Sequence, residues 1–475
     1  MRDLAFLGFI LALLGIGFRR PFVFVLTYIY VDTVGPQRLC YYLLNSIPLS
    51  VITVSLAVLG WMIVDKKRDF TIAPRQWLML ALLGWAFYTT FYADEQFYAW
   101  DKWSWVWKAV VFGIFLPFTL TTRLRIEAVI AFIILGVSSI VIVGGIKTLA
   151  TGGGYGSLNL MVDNNSGLYE GSTIACVAIA IIPLILWIGK FGTIFPRDWR
   201  VRLFCGALIF ACLLIPVGTQ ARTGLLCIGL LALLLLRDAK RRVLYVGLMA
   251  LAATVAIPLL PQAFTARMST IKEHKADASA TTRIAVWAWT WDYVQKHPLG
   301  GGFEMYRQNK LRFETIKKTD LNTPADANNP GAPAAPAAPE AAGSTEQVQT
   351  QVLTDEGRAF HSMYFEMLGE QGFPGLGMFL LLHFTGIIRM SAVRRRYRKS
   401  TDEDEAWVAP LATALQSANL IYLLGGAFVG IAFLPFIYMI LAIQIGLDTY
   451  LAARRRAANW RPMVERPAAI VPATA

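Results

Sequence analysis

Three residues carry the chemistry that this sequence could perform. Arg222 follows Gly218-Thr219-Gln220-Ala221 at the start of an apolar run, Arg283 heads a Trp-rich segment, and His361 precedes another long apolar run. A guanidinium stays charged at any physiological pH and presents a planar fork of donors that matches phosphate oxygens. Histidine titrates near neutrality and can take a proton from a hydroxyl. Two such arginines and one such histidine on one side of a membrane suit a reaction in which a diphosphate leaves as a hydroxyl attacks. Each residue taken alone has a plainer reading. Arginines at helix ends snorkel to headgroups or stack on tryptophan, and a histidine at a helix start is commonly a satisfied structural group.

Other residues could support the three. Gln220 lies beside Arg222, and Arg267 sits in the long polar stretch before Arg283. Ser362 follows His361, and Glu366, about one helical turn on, could orient the imidazole or simply favour the helix dipole. Asn164 and Asn165, with Asp163 and Glu170, offer partners for sugar hydroxyls or a turn after a glycine run. Lys102 and Arg307 are further contacts for an anionic substrate or headgroup, and Trp100, Trp103, Trp105 and Trp107 read as an interfacial belt or a sugar-stacking platform. His274, His297, His361 and His383 lack ligand spacing, so no metal is expected, and a diphosphate already activated as a leaving group needs no cofactor. The five cysteines lie in or beside apolar runs and imply no disulfide framework.

The elements that must position these residues are membrane helices. With 56% hydrophobic and 16% charged residues and a mean hydropathy of +0.51, the chain reads as an all-α, polytopic integral membrane protein. Apolar runs fall at about 4–18, 21–35, 47–64, 75–92, 105–121, 127–148, 170–189, 201–217, 223–236, 243–260, 362–390, 408–425 and 428–450, giving about 12–13 transmembrane helices. The net charge of +13 is spread over short clusters in every second connection, including Lys66/Lys67/Arg68, Arg237 to Arg242 and Arg394 to Lys399. That pattern orients a membrane protein and argues against nucleic acid as the partner.

The organisation that follows is a transmembrane bundle over 1–260 with about ten spans, one large outward loop over 261–361, further transmembrane helices over 362–452, and a basic tail at 453–475. Within the loop, Thr281 and Thr282 can cap a helix from about Arg283 to Lys296, with Arg283, Trp287 and Trp291 on one face. His297-Pro298 ends it, and Gly300, Gly301 and Gly302 permit close backbone approach to a ligand or another segment. Residues 323–343 collapse to Ala, Pro, Asn and Gly, a disordered insertion with no assigned chemistry.

The ordered motifs resemble a known family. Q-A-R-T-G (Gln220 to Gly224), T-R-I-A-V-W (Thr282 to Trp287), H-P-L-G-G-G-F (His297 to Phe303) and F-H-S-M-Y-F-E-M-L-G-E-Q-G-F-P-G-L (Phe360 to Leu376) look like the O-antigen ligase and O-antigen polymerase superfamily. R-R-P-F (Arg19 to Phe22), Y-A-D (Tyr92 to Asp94), W-D-K-W (Trp100 to Trp103) and D-N-N (Asp163 to Asn165) resemble O-glycosylation ligases associated with exosortase and exopolysaccharide systems. The resemblance implies a bacterial inner-membrane enzyme with a large periplasmic loop. It implies transfer of a glycan from an undecaprenyl-diphosphate carrier to a glycan, lipid or protein acceptor, beside polysaccharide export machinery. Carried over by position, Arg222 and Arg283 hold the diphosphate and His361 is the base of an inverting, metal-independent displacement. Many relatives have His-Asn where this chain has His361-Ser362. A transporter or flippase of lipid-linked glycans would bind the diphosphate with the same arginines without breaking a bond, and in a structural subunit of an export complex His361 would be idle.

Overall fold

Each of the thirteen apolar runs coincides, in whole or in part, with a helix in the computed structural model, which describes residues 2–65, 67, 71–155, 158–161, 167–239, 241–256, 278–319 and 347–459. The first half comprises α1 (Arg2–Arg19), α2 (Phe22–Val34), a single turn α3 (Pro36–Leu39), α4 (Leu49–Val64), α5 (Pro74–Phe91), α6 (Gln96–Thr119) and α7 (Arg123–Thr151). There follow α8 (Gly171–Phe191), α9 (Trp199–Gly218), α10 (Arg222–Asp238), α11 (Arg242–Ala256), α12 (Ala278–Lys296), α13 (Met363–Tyr397), α14 (Val408–Gly426) and α15 (Pro435–Asn459). Among the described residues, six helical segments are long and apolar enough to cross a membrane: α7, α8, α9, α13, α15, and α14 taken with the turn before it. The apolar α2 and α4 are shorter. The protein is a multi-pass, all-α membrane protein.

Local sequence sets the helix ends. Thr122 caps α7 by accepting from the Arg125 amide, and the helix stops where Gly152 takes a left-handed conformation. Glu170 caps α8 through the Ser172 and Thr173 amides, and Asp198 caps α9 through that of Val201. α8 is the axis of the bundle. Its residues Ile174 to Ile181 are fully buried, enclosed by α7, α9, α10 and α14.

α13 is not one continuous helix. Gly372 adopts φ 65° and ψ −168°, a region closed to side chains, and the backbone breaks there. The Gly300–Gly302 turn after α12 docks on the break. The Gly301 and Gly302 amides donate to the Gly369 and Glu370 carbonyls (both 2.9 Å), and the Phe373 amide donates to Pro298 O (3.0 Å). Trp85 Nε1 donates to Gln371 O (2.8 Å) from α5. Backbone groups at the kink are thus satisfied by protein, which a break within a membrane protein requires. The close approach that the three glycines permit is therefore to another segment of the chain.

Two features depart from the sequence expectation. α12 begins at Ala278, about a turn before the expected cap, because Ala278-Ser279-Ala280 contains no helix breaker. Two antiparallel strands, β1 (Lys310–Thr319) and β2 (Gln347–Glu356), pair with Lys310 opposite Glu356 and Thr319 opposite Gln347. Polar composition alone predicts loop there. The insertion at 323–343 lies outside the described residues.

Candidate functional site

His361 stands on the connection between β2 and α13, and several neighbours fix it. The indole Nε1 of Trp287 donates to the Phe360 carbonyl (2.8 Å), and the Trp287 ring stacks on Phe365 with centroids 5.0 Å apart and planes 4° apart. Phe360 itself is buried against Val286, Met305 and Leu311. On the other side Asn309, fully buried, clamps the chain three residues upstream. Its Nδ2 donates to Arg358 O (2.7 Å) and its Oδ1 accepts from the Arg358 amide (3.0 Å). The indole face of α12 therefore grips the segment that carries His361.

The result is a strained backbone at the candidate base. His361 has φ 47° and Gln220 φ 52°, both in the left-handed region that residues with a Cβ seldom occupy. Such strain persists only where surrounding contacts impose it, and it clusters at functional sites. The imidazole stays open to solvent on one side. Partial burial of the ring and the neighbouring Arg283 charge push its pKa below the usual histidine value, Glu170 pulls it back, and Arg358 adds a smaller push down. That direction favours the neutral ring, the form a general base requires.

Arg283, Arg358 and Glu170 thus lie within electrostatic reach of His361. Arg222 opens α10 at the same end of the bundle. Gly224, two residues on, packs so closely on α8 that a Cβ there would lie 3.1 Å from Ala175, one turn past the Glu170 cap. Gln220, on the turn before Arg222, lies against Gly154, whose amide donates to Gly218 O (2.9 Å). Among the described residues neither Ala221 nor Ser362 caps its helix, α10 and α13 respectively, through a side chain. Helix N-termini carry partial positive charge and attract anions. Three arginines and two helix N-termini consequently share one end of the bundle.

Some expected contacts are used elsewhere. The Glu366 carboxylate is turned away from His361, with Oε1 on Lys102 Nζ (2.7 Å) and Oε2 on the Ala432 amide (3.0 Å). Lys102 is buried between Glu366 and Glu370 (2.8 Å), with Glu304 at 3.8 Å, so it faces carboxylates and not a soluble anion. Arg307 is paired with Glu304 (3.0 Å) and lies over the Tyr98 ring at 3.7 Å. Trp103, half-buried, packs on the exposed Phe87, while Trp100 and Trp105 remain exposed. Asn164, Asn165 and Arg267 lie outside the described residues. Arg358 and Asn309 join the site only through the fold. Arg358 had a signal in the sequence, as a third arginine in G-R-A-F-H-S, three residues from His361. Among the described residues no three His, Cys, Asp or Glu side chains converge as a metal site.

Two known families match parts of the chain. Residues 205–380, which contain Arg222, Arg283, Arg358 and His361, match the family described as O-antigen ligase. Residues 1–193 match a family of unknown function, DUF5935. No curated protein matches the chain.

Proposed function

We propose that this member of the O-antigen ligase superfamily, a membrane glycan ligase or polymerase, transfers a glycan from an undecaprenyl-diphosphate carrier to an acceptor hydroxyl on the periplasmic face of the inner membrane. The observation that carries the reading is His361, held at a strained φ within reach of the Arg283 charge. A ring nitrogen of His361 takes the acceptor proton. The acceptor oxygen attacks the anomeric carbon from the face opposite the diphosphate, and the carbon–oxygen bond to phosphate breaks with its electron pair left on the diphosphate. One displacement inverts the anomeric configuration. Arg222 and Arg283, assisted by Arg358 and the N-terminal dipoles of α10 and α13, stabilise the charge that develops on the leaving group. The Arg283 charge has a second effect, because it keeps the imidazole neutral and ready to accept a proton.

The test is glycan transfer in proteoliposomes loaded with an undecaprenyl-diphosphate oligosaccharide, with the intact protein, His361→Ala and Arg283→Ala in parallel. Release of carrier diphosphate by the intact protein, abolished in both variants at equal expression, is the expected result. Movement of the glycan lipid across the bilayer with every glycosidic bond intact would instead identify a transporter.

A further inference from the structure

A cleft opens at the C-terminal end of α12. About 300 Å³ in volume, it is lined by Tyr92 and Asp94 from the α5–α6 connection, Tyr293 from the last turn of α12, His297 just beyond it, and the following glycine turn. The Tyr293 hydroxyl donates to Asp94 Oδ2 (2.6 Å), and the Tyr293 ring stacks on His297 with centroids 4.3 Å apart and planes 22° apart. The Asp94 amide donates to Gly301 O (3.1 Å), fixing the loop to the turn. Gly301 forms part of the wall, and a Cβ there would lie 2.7 Å from the Tyr293 hydroxyl and 3.1 Å from Asp94 Oδ2. The carboxylate remains exposed.

We propose that this cleft is a glycan subsite that binds a neutral or cationic sugar ring several units away from the reacting end. The chemistry is complementary to a pyranose. Aromatic faces pack on its C–H surface, and a carboxylate with spare lone pairs accepts from adjacent hydroxyls. Its volume falls at the lower end of the range for ligand clefts, room for a ring and not for an acyl chain. Among the described residues Asp94 is the one acid in the lining and no lysine or arginine joins it, so a diphosphate is repelled here. Tyr293 lies ten residues along α12 from Arg283, about 15 Å at the helical rise. A glycan whose reacting end sits at Arg283 and His361 reaches Tyr293 only if it extends by a few sugars along the helix. This inference rests on the transfer reading above for its purpose, but the cleft can be tested without it.

The experiment uses full-length protein in phosphatidylglycerol nanodiscs, with Asp94→Asn and Tyr293→Ala beside the intact chain. Asp94→Asn keeps an acceptor for the Tyr293 hydroxyl, so it preserves the local fold and decides the matter if Tyr293→Ala misfolds. Saturation-transfer NMR with a free neutral oligosaccharide lacking diphosphate should give a sugar signal with the intact protein and none with either variant. In the transfer assay, the ratio of kcat/KM for a donor of several sugars to that for a one-sugar donor should fall about tenfold in Asp94→Asn, the weight of hydrogen bonds to a charged group. Disappearance of the saturation-transfer signal in Asp94→Asn supports the subsite even where no transfer occurs. An equal signal in the variants, an unchanged ratio in an active enzyme, or displacement of the sugar by phosphocholine would overturn it, and the first two leave the transfer reading intact.

Discussion

Replacing Lys102 by methionine should destabilise the protein more than most single substitutions. The Lys102 side chain is 9% exposed, and its ammonium lies 2.7 Å from Glu366 and 2.8 Å from Glu370, which are 9% and 0% exposed. At an effective dielectric of about 20, each contact is worth roughly 6 kcal/mol of Coulomb energy, much of it offset by taking three charges out of water. What the substitution leaves behind decides the outcome: two carboxylates, one helical turn apart and facing the same way, with no counter-charge between them. Breaking a buried pair in this manner costs about 3–5 kcal/mol. Adding Glu370→Gln removes one uncompensated charge and should recover at least about 1 kcal/mol, a non-additivity expected of residues in contact. Reversible unfolding in mixed micelles, read by tryptophan fluorescence across the four-member cycle, supplies the numbers. A destabilisation below about 1 kcal/mol in Lys102→Met, or a double variant no more stable than the single, would show that the cluster is solvated and does not hold α6 to α13.

Other predictions concern the candidate base. The value of kcat/KM should rise with pH through a midpoint below 6.5 and then level, because the base is active when neutral and burial and Arg283 disfavour its protonation. In Arg283→Gln the residual activity should titrate at higher pH than in the intact protein, and an unshifted profile counts against electrostatic contact between the two. Trp287→Phe keeps the stack on Phe365 but loses the bond to Phe360 O, about 1 kcal/mol, so kcat should fall up to about fivefold with donor affinity retained. Gly372→Ala forces a side chain into φ 65°, ψ −168° and should lower the unfolding temperature in a thermal-shift assay, whereas Gly377→Ala, which meets nothing within 4 Å, should not.

The helices are legible in the sequence because long apolar runs leave little choice in a membrane. The placement of Arg222, Arg283 and His361 next to helix starts is legible for the same reason. Contacts between segments far apart in the chain are not. Glu366 and Glu370 share a helix face at i and i+4, which the sequence displays, but their partner Lys102 lies 264 residues before the first of them. The use of Gly300–Gly302 depends on a break at Gly372 that the run Gly369-Glu370-Gln371-Gly372-Phe373-Pro374 only hints at. In the sequence Trp287 shows only as a ring beside Arg283 on one helix face, yet its indole nitrogen is spent on the Phe360 carbonyl and so on the position of His361. The β1–β2 pair does carry a signal. Leu311, Phe313 and Ile316 in Lys310 to Thr319 alternate nearly as a strand does, and Gln347, Gln349 and Gln351 alternate across Val348 and Thr350. Its polar composition and the Ala/Pro-rich stretch between the strands conceal it.

In the proposed reaction Arg283 holds the diphosphate and His361 performs the chemical step, and these roles separate in one measurement. Equilibrium binding of an undecaprenyl-diphosphate glycan to nanodisc-embedded protein should weaken at least about tenfold in Arg283→Ala, as expected when a charge-assisted hydrogen bond is removed. In His361→Ala, affinity should stay within about twofold while turnover of the bound donor stops, because a base acts on the transition state and not on the bound donor. Undiminished turnover by His361→Ala, or unchanged donor affinity in Arg283→Ala, would contradict the account.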